Sequence, residues 1–203
     1  WLTPDATESL AEAARADDCD LVVADFYRVN GKRYVEKKHI KKTHVMTREE
    51  FAMEMAENPA DFCYGVMWNK LYRKSILLEH QIQCDTSMNW CEDFVLNLQM
   101  IRHAERFRAL QKPIYYYMKR KGSLVSTEAV STEAVKVKFE LLEKYRDLYQ
   151  SMGLYEEHKL KINSYILAVA KDGAAGVMTP KSKKLSPENV IPDKEKPGYQ
   201  HVE

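Results

Sequence analysis

An unbroken apolar run, Leu21 to Ala24, is the feature that most constrains the fold of this chain. A short run of this kind predicts a buried strand, which continues through Phe26 and Tyr27. Before it, Thr3 and Pro4 predict the start of a helix, with Thr as the N-cap and Pro in the first turn. A helix that leads into a buried strand predicts an α/β or α+β fold.

Later elements follow from start and stop signals. Asn30 and Gly31 predict a hairpin turn. Thr47 and Glu50 have the spacing of a capping box, and the helix that they begin should stop before Asn58-Pro59. Further predicted elements are helices over 74–79, 93–102, 133–150 and 156–171, strands over 106–110 and 113–118, and a helix C-cap at Gly153.

Composition excludes several classes of protein. The chain has 203 residues, and 31 Lys and Arg against 30 Asp and Glu leave a net charge of +1, which argues against a general nucleic-acid binder. No apolar run approaches the roughly 20 residues of a membrane span. The four cysteines form no close pair, so free thiols in a cytosolic protein are expected rather than a zinc site.

Because the chain begins with Trp1, we expect a piece of a longer protein.

The strongest candidate for chemistry is the segment Trp90-Cys91-Glu92-Asp93-Phe94. It places two adjacent carboxylates where a loop enters a helix, and the amides of a helix N-terminus stabilise anions. Acidic residues are common at helix starts, so this pair alone does not define an active site. Cys91 is a poor candidate nucleophile because the neighbouring acids should raise the pKa of its thiol.

Two aromatic segments flank this pair at about twenty residues on either side. Trp68 to Arg73 precedes it, and Pro113 to Tyr117 follows it. Strand alternation predicts that Tyr115 and Tyr117 share one face and that Tyr116 lies on the other. A basic, serine-containing loop comes next.

In the order of these segments, residues 1 to about 125 resemble the family 2 glycosyltransferases of bacteria, which are of the GT-A type and build surface polysaccharides. That family shows "W-N-K-L-Y", a loop ending in Glu-Asp before a helix, and "Pro-x-Tyr-x-Tyr". Trp1 to Leu10 resembles the family's "W-(L/I)-x-P-(D/E)-x-L-E-x-L", with Thr7 in place of Leu. Asp18 to Val23 resembles "x-D-(A/C)-D-(I/L)-V-V".

The resemblance implies that this chain is the acceptor-side half of such an enzyme. Its expected fold is then a partial GT-A-like mixed sheet with flanking helices, followed by a C-terminal helical appendage. In the family, the first of these runs directly follows the Asp-x-Asp that binds a divalent metal, so the chain would be cut just past that motif. A Mn or Mg ion is then expected in the intact enzyme and none in this chain, which alone should be inactive. The expected domains are the glycosyltransferase half over 1–125, a helical hairpin over 126–173 as an appendage, and a Lys/Pro-rich tail over 174–203.

The resemblance also implies roles for individual residues in an inverting sugar transfer. Asp93 would be the general base, and Glu92 would orient the acceptor or hold Asp93 in place. Lys119 and Arg120 would bind the diphosphate. The implied substrate-binding residues are Trp90, Trp68, Asn69 and Lys70. Ordinary packing accounts for Trp68 equally well at this level.

The implied partners are a UDP-sugar donor and a saccharide or lipid-linked acceptor. We also expect a homodimer formed across exposed apolar surface, and a cytoplasmic protein at the inner face of the plasma membrane. The alternative is a non-catalytic interaction or oligomerisation module that retains half of a glycosyltransferase fold. In that case the helices over 135–150 and 156–171 would serve self-association or lie against a membrane.

Overall fold

A computed structural model describes residues 1–31, 33–58, 61–86, 88, 91–118, 132–165 and 183–184. The helices are α1 (Ala6–Ala16), α2 (Arg48–Glu57), α3 (Phe62–Gly65), α4 (Lys74–Glu79), α5 (Glu92–His103), α6 (Thr132–Ser151) and α7 (Tyr155–Asn163). The strands are β1 (Leu21–Asn30), β2 (Arg33–Lys37), β3 (Lys70–Tyr72), β4 (Phe107–Met118) and β5 (Lys183–Lys184).

The long strand β1 is the centre of a mixed sheet. Strand β4 runs parallel to it and pairs with it from Leu21 to Val29. Two antiparallel strands pair with the other edge of β1: β3 pairs with its first part and β2 with its end. The short strand β5 pairs with β2. The predicted mixed sheet with flanking helices is therefore confirmed.

Successive side chains of a strand point to opposite faces of the sheet. Strand β1 therefore contributes to two cores, one on each face, and helices pack against both. Leu21 and Val23 belong to the larger core, which also contains side chains of α2, α5 and α6. Val22 and Ala24 belong to a smaller core, in which they pack against Ala6 and Leu10 of α1.

Helices α6 and α7 pack into the larger core rather than standing apart from it. Tyr145 and Tyr149 of α6 and Ile162 of α7 are fully buried there. The Tyr149 hydroxyl donates to the Ala52 carbonyl of α2 at 2.6 Å, which ties α6 to the first half of the chain. The predicted division at residue 125 remains a prediction. Of the described helices, none is long and apolar enough to cross a bilayer.

Two predicted caps are confirmed. At the start of α2, the Glu50 amide donates to Thr47 Oγ1 and the Thr47 amide donates to Glu50 Oε2, which is the reciprocal pair of a capping box. At the end of α6, Gly153 has a φ of 71°. Its N–H donates to the Gln150 carbonyl while that of Leu154 donates to Tyr149, as in a Schellman motif.

The predicted start of α1 at Thr3 is wrong, since the helix begins at Ala6 with Asp5 as its N-cap residue. The cause lies far along the chain, because residues 1–3 pair with β4. The Thr3 amide donates to the Ile114 carbonyl at 2.7 Å, and Trp1 accepts from the Tyr116 amide at the same distance. Extended pairing holds Thr3 outside the helix.

The two strands predicted over 106–110 and 113–118 form the single strand β4. Its pairing shifts between Ala24 opposite Leu110 and Asp25 opposite Pro113, so Gln111 and Lys112 are extra residues on β4. Such a bulge accommodates Pro113, which has no N–H for the ladder. The predicted helix beyond residue 165, the appendage residues 126–131 and most of the tail lie outside the described residues.

Candidate active site

The Asp93 carboxylate lies in the first turn of α5 and faces the loop that leads into β3. Its Oδ2 accepts a hydrogen bond from the Met67 amide at 3.3 Å. The residue is half-buried, and this hydrogen bond holds one oxygen of the carboxylate against the loop. This bond brings together two of the segments predicted to form a site, the Trp68 segment and the Glu92-Asp93 pair.

One turn further along α5, Asn97 makes a second connection to the same loop. Its Nδ2 donates to the Tyr64 carbonyl at 2.8 Å and to the Val66 carbonyl at 3.2 Å. Its Oδ1 accepts from the Tyr72 hydroxyl at 2.7 Å. Residues four apart share a helix face, so Asp93 and Asn97 hold the loop jointly. Sequence reasoning missed Asn97, although a polar residue inside the apolar period of this helix is a signal that could have found it.

Asn69 and Lys70 are buried, with exposed fractions of 0% and 7%. Asn69 Nδ2 donates to the Ala24 carbonyl of β1 at 3.0 Å, and its Oδ1 accepts from Lys70 Nζ at 2.9 Å. The Lys70 ammonium also donates to the carbonyl groups of Cys63 and Val66 at the end of α3. Both side chains therefore support the loop from within, and their contact with an acceptor remains a prediction.

The Trp68 indole joins the loop to β4. It stacks on Tyr115 at 4.3 Å and on Tyr117 at 5.5 Å between ring centroids, and it meets Phe26 of β1 edge-on at 4.9 Å. Tyr116 lies on the other face, where it stacks on Tyr27 at 4.7 Å. The predicted alternation of the three tyrosines is confirmed. Packing accounts for the contacts of Trp68 described here, and its stacking on a sugar remains a prediction.

The electrostatic environment of Asp93 has several opposing contributions. Burial raises the pKa of the Asp93 carboxyl, and the neighbouring Glu92 raises it further. The Met67 N–H and the positive charge of Lys70 act in the opposite direction. The net effect is a raised pKa, so this carboxylate is a stronger proton acceptor than an ordinary aspartate.

Cys91 directly precedes α5 and has a φ of 65°, in the left-handed region that non-glycine residues rarely adopt. Strained residues of this kind often lie at functional sites. Burial, and then the charge of Glu92, raise the pKa of the Cys91 thiol to about 12. The thiol is therefore protonated at neutral pH, which confirms the predicted direction and argues against a nucleophilic role.

Sequence reasoning also missed a buried acidic residue in the central strand of the sheet. Asp25 of β1 is 5% exposed, and its Oδ1 accepts from the His39 amide at 3.3 Å. Its Oδ2 is buried and has no hydrogen-bond partner among the described residues. The His39 ring stacks on Phe26, and its Nδ1 lies 2.7 Å from Asp61 Oδ2. Burial raises the pKa of Asp25 to about 6, which the His39 N–H partly opposes.

The raised pKa of Asp25 predicts a pH-dependent stability. The folded chain retains the Asp25 proton to about pH 6, whereas the unfolded chain releases it near the ordinary value of 3.8. The free energy of unfolding should therefore fall between pH 4 and pH 7, by on the order of 2 kcal/mol from this group. Urea titrations across this range should show a smaller fall in Asp25→Asn, with the exposed Asp147→Asn as the control for a lost charge. Equal falls in the wild type and Asp25→Asn would contradict the assignment.

The acids near the start of β1 have a structural role. Arg73 forms salt bridges with Asp18 at 2.6 Å and with Asp20 at 2.7 Å. Asp20 Oδ2 also accepts from the amides of Glu105 and Arg106. Asp18-x-Asp20 therefore joins β1, β3 and β4 at the end of the sheet.

Three predicted site residues, Trp90, Lys119 and Arg120, lie outside the described residues. Within the described ranges, no group of three or more His, Cys, Asp or Glu side chains is arranged to hold a metal ion. The described residues thus do not fit a metal centre.

Comparison with known proteins finds one relative by sequence and several solved structures with a similar fold. No protein-family model matches the chain. A curated relative from Bacillus subtilis (strain 168), an uncharacterized glycosyltransferase called EpsJ, is 26% identical over 119 residues, which are 58% of this chain and 34% of EpsJ. The chain has a glycosyltransferase-like relative.

Solved structures of S. aureus TarS 1-349 share the fold. One matches 85% of this chain and 44% of its own, with a TM-score of 0.53 and 19% identity. The structure in complex with UDP-GlcNAc matches 88% of this chain and 57% of its own, with a TM-score of 0.55 and 19% identity. This chain thus spans about a third of the length of EpsJ and about half of these TarS chains.

Proposed function

We propose that this chain is the acceptor-side part of a glycosyltransferase that transfers a sugar from a nucleotide-sugar donor to a saccharide or lipid-linked acceptor. The observation that carries the proposal is the position of Asp93. This carboxylate has a raised pKa, is held by the Met67 amide, and lies beside the loop that carries Trp68, whose indole stacks on Tyr115 and Tyr117 of β4. A glycosyltransferase-like relative and the fold shared with TarS support the same reaction class.

The proposed chemistry is a single inverting displacement. The acceptor hydroxyl oxygen forms a bond to the anomeric carbon while the bond from that carbon to the diphosphate oxygen breaks. The electron pair leaves with the nucleotide diphosphate, and the hydroxyl proton passes to Asp93 as general base. Glu92, next to it in the first turn of α5, is proposed to orient the acceptor. Lys119 and Arg120 are proposed to bind the diphosphate, and Trp90 to contact a sugar.

The finer assignments remain part of the proposal. We propose a family 2, GT-A type enzyme of surface polysaccharide synthesis with a UDP-sugar donor, which is supported by the TarS structure in complex with UDP-GlcNAc. A Mn or Mg ion would belong to a longer protein that includes an Asp-x-Asp motif before Trp1. A homodimer formed across exposed apolar surface is also part of the proposal, as is a cytoplasmic position at the inner face of the plasma membrane.

The test compares two proteins, this 203-residue chain and a longer protein in which the coding sequence upstream of Trp1 is retained. Both are incubated with UDP-GlcNAc or UDP-glucose, Mn and a panel of saccharide acceptors, and release of UDP is measured. We expect acceptor-dependent UDP release by the longer protein and none by the shorter chain. Failure of the longer protein to bind any nucleotide sugar would overturn the proposal and favour the non-catalytic module.

A further inference from the structure

A single peptide group lies between a buried cation and the candidate base. The Val66 carbonyl accepts from Lys70 Nζ, and the Met67 N–H of the same peptide donates to Asp93 Oδ2. Because a peptide bond is planar and trans, its C=O and N–H point in opposite directions. A positive charge at the carbonyl oxygen therefore polarises the peptide and strengthens its N–H as a donor to the carboxylate.

Lys70 is an unusual residue to find in this position. It is 7% exposed, and its acceptors are the carbonyl oxygens of Cys63 and Val66 and the amide oxygen of Asn69. Within the described part of the chain, no carboxylate oxygen forms a salt bridge with its Nζ. Burying an ammonium group without a carboxylate partner costs free energy, because the group loses its hydration and gains no opposite charge in return.

The charge on Lys70 nevertheless persists near neutral pH. Burial lowers the pKa of Lys70 to about 8, while Cys63, and after it the negative charges of Asp93 and Asp61, act to raise it. The effect is mutual, because the charge of Lys70 lowers the pKa of Asp93. Lys70 and Asp93 are far apart in the sequence, so their interaction depends on how the loop folds.

The loop geometry is fixed from both sides. Asn97 also donates to the Val66 carbonyl, so two side chains hold the oxygen end of the 66–67 peptide while Asp93 holds its N–H end. Besides Lys70, the charged side chain that shifts the pKa of Asp93 is Glu92 on the same helix. The negative charge of Asp93 in turn raises the pKa of three groups around it, Tyr72 of β3, Cys84 and Cys91. In this set Lys70 is the group that carries a positive charge.

We propose that Lys70 is a positioning residue for Asp93, which acts through the Val66–Met67 peptide to orient the carboxylate and to keep it ionised. This inference rests on the proposed function for its consequence in catalysis, but the electrostatic coupling itself is independent of any activity. It assigns Lys70 a role toward the base rather than toward the acceptor.

The decisive measurement is an NMR titration of the Asp93 side-chain carboxyl in the 203-residue chain. In Lys70→Met we expect the Asp93 midpoint to rise by roughly 0.5 to 1 pH unit, as loss of a nearby opposite charge predicts. Lys74→Met, which removes an exposed lysine from the adjacent helix α4, is the matched control and should leave the midpoint unchanged. An unchanged Asp93 midpoint in a folded Lys70→Met chain would overturn the proposal.

A second measurement covers the case in which Lys70→Met does not fold. In the wild-type chain, the NMR chemical shifts of the Met67 amide and of the Lys70 side-chain carbon next to Nζ are followed between pH 2 and pH 7. This range of about five pH units contains the ordinary pKa of an aspartate. Both signals should show a step at the Asp93 midpoint, and absence of that step from the Lys70 signal overturns the coupling.

Activity separates this inference from the proposed function. In the longer protein, Lys70→Met should move the acid limb of kcat/KM to higher pH without raising KM for the nucleotide sugar. If Asp93→Asn keeps full transfer while the NMR coupling is present, the base assignment fails and the coupling stands. If Asp93→Asn loses transfer while Lys70→Met leaves the midpoint unchanged, the Lys70 proposal alone fails.

Discussion

Replacing Asp93 with Asn is expected to reduce sugar transfer by roughly 10²- to 10⁴-fold in the longer protein proposed above. The amide can still accept the Met67 hydrogen bond that holds the position in place, but it cannot take the acceptor proton. Transfer is measured as acceptor-dependent release of UDP, and nucleotide binding is measured by calorimetry. We expect the binding constant to stay within about twofold, since the change removes a base and not a nucleotide contact.

Two further variants sharpen this test. Glu49→Gln removes an exposed acid from the second position of α2, which is the position that Asp93 has in α5. This variant should leave transfer unchanged. Glu92→Gln should raise KM for the acceptor more than it lowers kcat, because Glu92 is assigned to orientation. Transfer by Asp93→Asn within about threefold of the wild type would show that another group accepts the proton.

The pH dependence of transfer follows from the same residue. A base must be ionised, so activity falls as the pH drops through the pKa of Asp93. Because burial and Glu92 raise that pKa above its ordinary value, the acid limb should lie at a higher pH than a solvent-exposed aspartate would give. A profile that stays flat down to the ordinary aspartate range would contradict the assignment.

Replacing Phe51 with Ala is expected to lower the free energy of unfolding by about 3 to 5 kcal/mol. Phe51 of α2 is fully buried and stacks on Phe107 of β4 at 4.5 Å, with Tyr64 of α3 edge-on at 5.7 Å. Its removal would leave a cavity where a helix, the sheet and the loop toward the candidate site meet, and close packing there allows little collapse.

The matched control is Phe139→Ala on α6, where the same ring is 56% exposed. The control should change stability by less than about 1 kcal/mol, since little apolar surface is lost from the core. Both variants are compared by urea denaturation followed by circular dichroism. Equal losses for the two variants would mean that α2 does not pack on β4 as described.

Several elements were predictable because their signals lie within a turn or two of sequence. The capping box of Thr47 and Glu50, the glycine at 153 and the alternation of Tyr115 to Tyr117 each depend on residues at fixed local spacing. The contacts of Met67 and Trp68 bring the Trp68, Glu92-Asp93 and Pro113 segments together, while the site that their order predicted stays a prediction.

Errors arose where a distant strand competed with a local signal. Thr3 has the features of an N-cap, but its amide bonds to Ile114, and that pairing decides where α1 begins. Likewise, Pro113 reads as a break between two strands, but a bulge of two residues keeps β4 continuous along β1. Pairing across the sheet outweighs propensity in both cases.

Sequence alone determined where most helices and strands lie and which acidic pair begins α5, because hydrophobic period and capping are local properties of the backbone. Only the tertiary structure decided that Asp25 is buried, that Asn97 holds the loop, and that one peptide joins Lys70 to Asp93. These contacts depend on residues brought together by packing. Burial and electrostatics act through distance in space, and spacing along the chain does not specify that distance.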